Sequence, residues 1–207
     1  MTAALALMLF VLAAWQVRVR GPLLSPDERL SRALVRTVPD GVTERLADLG
    51  NIPVAVPVLA LAMVWTARRT RRLREPLVAG LAMALVPAVI VPLKAWTARN
   101  GPLEPWAAGY FPSGHTATAT VAYGAAALLL APLFGAGRRW WSTAAAGVLS
   151  LATAVGLVLR GFHWPLDVLA SWLLCVVLLS PSWLLCRERL RGTGSVTDSA
   201  TATAQPK

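Results

Sequence analysis

Six stretches of this chain, about 2–17, 51–67, 76–93, 114–134, 142–159 and 165–185, carry a single charged residue among them, Asp167. Each approaches or reaches the ~17–25 apolar residues that cross a bilayer as a helix. A soluble domain of this length cannot hide so much contiguous apolar surface, and 56% of the 207 residues are hydrophobic against 14% charged. The pattern predicts an all-α, six-span transmembrane helical bundle. Its membrane domain runs over 1–191, and a Gly-, Ser-, Thr- and Ala-rich disordered tail occupies 192–207. The first stretch lacks a basic start and a clear small-residue cleavage site, so it reads as an uncleaved anchor.

The charges between the stretches set the orientation. RRTRRLRE at 68–75 carries five arginines, Arg138 and Arg139 separate the fourth and fifth stretches, and Arg187, Arg189 and Arg191 follow the sixth. With six spans these segments share one face, which basic residues mark as cytoplasmic. Both termini are then cytoplasmic, and Arg18 and Arg20 are a mild counter-signal. The net charge of +10 belongs to this topology pattern and not to nucleic-acid binding. Most of the nine tryptophans lie near the ends of the stretches, as an interfacial belt requires. The connector 18–50 lies outside and spaces its apolar residues as one or two short amphipathic helices would. A plain solvated connector fits nearly as well.

Few polar residues remain for chemistry, and the topology brings them to one level on the outer side. Lys94 ends the third stretch and Arg99 follows. Ser113, Gly114 and His115 open the fourth, Arg160 ends the fifth, and His163 and Asp167 open the sixth. Lysine, arginines and free helix N–H groups suit an anion such as phosphate. Gly114 permits close backbone approach, and Ser113 either caps the helix or donates to the anion. His163 and Asp167 are four apart and share a helical face, so the carboxylate can fix the imidazole tautomer and leave the other nitrogen to attack phosphorus. His115 then serves as acid and later as base. A plainer reading stands beside this one: snorkelling cations at the interface, and a structural His–Asp pair.

The segments KAWTARNGP, PSGH and GLVLRGFHWPLD resemble, in this order, the three signature motifs of the type-2 phosphatidic acid phosphatase superfamily, which holds lipid phosphate phosphatases and vanadium haloperoxidases. The motif resemblance covers about 94–167. It implies His163 as the nucleophile of a phosphohistidine, Asp167 as its orienting partner and His115 as general acid. Lys94 and the Ser113–Gly114 segment would bind phosphate, with no metal or other cofactor in the phosphatase branch. Two places depart from the pattern: Gly101 stands where the first motif has arginine before proline, and Gly156 and Leu157 stand where the third begins Ser-Arg. Arg99 and Arg160 are the candidates to supply the missing charge.

The expected protein is therefore a multi-pass cell-membrane phosphatase with its site on the extracytoplasmic face. It would hydrolyse the terminal phosphate of a lipid phosphate or polyprenyl diphosphate, with the bilayer and the lipid substrate as its partners. The alternatives are a degenerate relative that binds or transports phospholipid, a vanadate-dependent oxidase and a purely structural bundle. Oligomeric state is not legible in the sequence.

Overall fold

A computed structural model describes residues 1–135 and 139–202, with side chains described through Leu190. The helices are α1 (Thr2–Arg18), α2 (Leu24–Leu34), α3 (Asp40–Asp48), α4 (Ile52–Thr70), α5 (Arg74–Thr97), α6 (Gly114–Leu130), α7 (Arg139–Arg160) and α8 (Pro165–Ala202), with a 3-10 turn over Ala131–Leu133 after α6. No β-strand occurs among the described residues. Five helical segments are long and apolar enough to cross a membrane, ending with α8. The apolar α1, at 17 residues, is shorter. The six expected spans thus resolve into five long helices and one short one. Arg138 and the tail expected to be disordered over 192–207 lie outside the residues whose side chains are described.

Local chemistry sets the helix boundaries. Pro53 lies in the first turn of α4 and Pro165 opens α8, where a missing N–H leaves no bond unmade. Ser113 caps α6, its Oγ accepting from the Thr116 amide at 3.3 Å. Gly161, at φ +78°, takes the left-handed conformation that turns the chain out of α7.

Helix α6 is the axis of the bundle. Its sequence is rich in Ala, Gly and Thr, which lets α4, α5, α7 and α8 pack against it at close range. About 67% of its apolar window is buried, against 39% or less for the other four segments. The first core cluster joins α1 to this axis: Phe10 stacks on Phe111 with ring centroids 6.4 Å apart, beside Val86, Ile90 and Leu174. Phe111 is fully buried. The outward faces of the helices stay apolar and exposed, as for Leu61, Leu77, Leu81, Val91, Val148 and Leu169. Lipid would cover such faces.

The connector forms two helices, as its periodicity predicts, and α3 does more than lie on a surface. It packs along α7, where Gly156 lets the backbones meet. A Cβ on Gly156 would fall 2.5 Å from the Ala47 nitrogen and 2.6 Å from the Thr43 oxygen. The residue standing in place of the motif's serine is thus a packing glycine.

Candidate active site

One end of the bundle gathers the three motif segments. Ser113 N–H donates to the Asp167 carbonyl at 3.2 Å, and Ser171 Oγ donates to the Ser113 carbonyl at 2.8 Å. Thr97 Oγ1 reaches the Phe111 carbonyl at 3.1 Å, and Trp164 Nε1 reaches the Asn100 carbonyl at 2.8 Å. The starts of α6 and α8 and the end of α5 are therefore fixed to one another by main-chain acceptors, not by side-chain packing alone.

His163 is held by Asp167. The carboxylate is fully buried, and its Oδ2 lies 3.2 Å from His163 Nδ1 while accepting from the Trp164 amide at 3.1 Å. A carboxylate oxygen only accepts, so Nδ1 carries the proton and Nε2 keeps its lone pair. Tyr110 packs edge-on against the ring, with centroids 5.7 Å apart. Its phenol bonds Glu104. Burial and that carboxylate push the phenol pKa up to about 12.

His115, one residue into α6, points into the same cavity as His163, a space of about 610 Å³. Its Nε2 lies 2.8 Å from Asn51 Oδ1. Asn51 Nδ2 donates to Asp48 Oδ1 at 2.8 Å, which fixes the amide orientation and makes Oδ1 the acceptor from the imidazole. Nε2 is then protonated. Neither Asp48 nor Asn51 was singled out from the sequence. The connector becomes part of the site only because α3 is drawn onto α7, and no local pattern announces that.

The cations divide into two groups. Lys94 is half-buried, and its charge acts on both Asp167 and His115. Arg160 lines the cavity, pairs with Asp40 at 3.3 Å and lies over the Phe162 ring. Its Nε is buried and unpartnered. Arg99 departs from the expectation that it faces phosphate. It is 7% exposed and lies outside the cavity lining. One arm meets Asp167 Oδ1 at 2.6 Å, and the other is paired with Asp27 on α2. Two buried carboxylates claim a buried guanidinium ahead of any anion in the cavity. Asp27 also accepts from the Leu166 amide at 2.8 Å. Burial raises its pKa, against the lowering effect of Arg99.

Ser113 takes the capping role, fully buried and turned to Thr116. Gly114 has open space where a side chain would stand. Leu157, in place of the motif's arginine, lines the cavity one turn before Arg160 on α7. A side chain at Gly101 would have to displace the Tyr110 ring, since a Cβ there would fall 2.4 Å from it. Among the described residues, no three His, Cys, Asp or Glu side chains form a set able to hold a metal ion.

Together these features define a membrane-embedded helical protein whose two histidines open into one cavity at the end of the bundle. Residues 75–191 match the profile of the PAP2 superfamily, and the chain belongs to that superfamily. It is 32% identical over 143 residues to an undecaprenyl-diphosphatase of Sulfolobus acidocaldarius, a stretch covering 65% of each protein. Among solved structures it resembles the PAP2-type phosphatidylglycerolphosphate phosphatase of Bacillus subtilis. The TM-score is 0.77 at 21% identity, covering 90% of this chain and 94% of that one.

Proposed function

We propose that the protein is an integral membrane phosphatase that removes the terminal phosphate of a lipid phosphate or polyprenyl diphosphate through a phosphohistidine on His163. The observation that carries this reading is the shared cavity of His163 and His115, with the first imidazole held by Asp167 in the tautomer that exposes Nε2. Family membership and the two phosphatase relatives support the reaction class.

In the first step Nε2 of His163 attacks phosphorus, and the bond from phosphorus to the leaving oxygen breaks. His115, in its imidazolium form, gives one of its two protons to that oxygen and is left neutral. In the second step His115 takes a proton from water, the water oxygen bonds phosphorus, and the His163–phosphorus bond breaks to release phosphate. Asp167 stabilises the positive charge that develops on the His163 ring. Lys94 and Arg160 compensate the anionic oxygens, with the open N-terminus of α6 at Gly114 adding its amides. Arg99 orders Asp167 and touches no phosphate. The site faces the extracytoplasmic side and both termini the cytoplasm, a reading supported by the arginines at 68–75.

Phosphate release by the purified protein from a panel of lipid phosphates and diphosphates tests the proposal, with His163→Ala as control. Turnover by the native chain that His163→Ala abolishes is the expected result. Equal, negligible turnover by both across the panel overturns it and favours a binding or transport protein.

A further inference from the structure

The superfamily motif places arginine at two positions that are Gly101 and Leu157 here. The fold fills the first with the Tyr110 ring and leaves the second apolar. The cavity nonetheless contains a second cation, Arg36, which belongs to no motif. It follows α2 and is brought there by backbone geometry. Its N–H donates to the Leu159 carbonyl at 2.8 Å, and its φ of +60° turns the chain at that point. Leu34 packs against Ala154, Val158 and Val168, anchoring the end of α2. The Arg36 side chain is exposed and makes no ion pair among the described residues.

Two carboxylates also line the cavity, Asp48 hydrogen-bonded to Asn51 and Glu104 to Tyr110, and neither forms an ion pair with Arg36. Arg160 pairs with Asp40 at 3.3 Å, and its buried Nε has no hydrogen-bond partner among the described residues. Two guanidinium groups from separate elements therefore border one cavity, and Lys94 acts on His115 and Asp167 from a separate position outside its lining. A single phosphate seated at His163 and met by Arg160 would leave Arg36, which has no ion pair among the described residues, without an anion.

We propose that Arg36 forms a second anion station that holds the non-reacting phosphate of a diphosphate lipid while the terminal phosphate meets His163 and Arg160. This rests on the phosphatase reading and narrows it to diphosphates as the preferred substrate class. Guanidinium groups suit such a station, because they bind phosphate oxygens in pairs and keep their charge at every physiological pH.

Binding of farnesyl diphosphate and farnesyl monophosphate to the full chain in detergent micelles tests the proposal. A His163→Ala background prevents turnover. Arg36→Gln is expected to weaken the diphosphate about tenfold, the scale of one charge-assisted contact, and the monophosphate less than about twofold. Arg36→Lys should recover part of the loss. Arg36→Asn, which tolerates the left-handed backbone, repeats the measurement if Arg36→Gln folds poorly. Equal weakening of both ligands, or of neither, overturns the proposal. A failure of the phosphatase reading registers separately, as absent phosphate release by the native chain whatever the binding ratio.

Discussion

Arg99 Nη1 meets Asp167 Oδ1 at 2.6 Å, on the opposite oxygen from the one that holds His163. The guanidinium thus reaches the His163 imidazole through one intermediary. Its second arm ends on Asp27, so α2 is tied to the start of α8 through a buried chain of three charges.

Removing the middle of that chain leaves two buried carboxylates without a counter-ion. Arg99→Ala is expected to destabilise the fold by about 3–5 kcal/mol, read as a lowered unfolding midpoint in detergent. Arg99→Lys keeps the charge but cannot fork to both carboxylates. Its kcat should fall while KM stays near the native value, because the residue orders Asp167 without touching substrate. A rise in KM alone would assign Arg99 to phosphate instead.

Activity against pH should trace a bell. His163 must be unprotonated at Nε2 to attack and His115 must carry the proton it donates, so the rate falls when either form is lost. The Tyr110 phenol, with its pKa pushed up to about 12, stays neutral throughout a scan from pH 5 to 9 and contributes to neither limb. A flat profile under conditions where chemistry limits the rate would contradict the two roles.

His115→Ala should lower kcat by ~10²–10⁴-fold, the range for a positioned acid. Asn51→Leu removes only the acceptor that orients the ring, and a smaller fall in kcat is expected with the unfolding midpoint near native. A substrate with a good leaving group, which needs no proton donor, should recover rate in both variants.

Gly156→Ala tests whether the connector helps build the site. The added methyl meets main-chain atoms of α3 at 2.5 and 2.6 Å, and backbone cannot swing aside as a side chain can. Overpacking of this kind costs ~1–3 kcal/mol. Since α3 leads directly to Asp48 and Asn51, activity should fall together with the unfolding midpoint. An unchanged protein would show that α3 sits on α7 more loosely than these distances require.

The long helices and the His163–Asp167 pair are legible in the sequence because each depends on local periodicity: an uninterrupted apolar run or a spacing of four. Asp27, Asp48, Asn51 and Arg36 are not legible in this way. Asp27, Asp48 and Arg36 sit in a connector of mixed charge and Asn51 directly follows it, and their place depends on which face of α7 receives α3 and on how α2 ends. Arg99 shows the same limit from the other side. Its position after Lys94 suggests a phosphate ligand, but its partner Asp27 lies 72 residues away, beyond the reach of any local pattern.

The contact between Gly101 and the Tyr110 ring restricts what simple mutation can do to this protein. Placing arginine at position 101 would displace the aromatic ring that flanks His163. A smaller residue at position 110 would make room for it. The departure from the motif is therefore coupled to its neighbour, and the positive charge it removes must come from some other part of the chain.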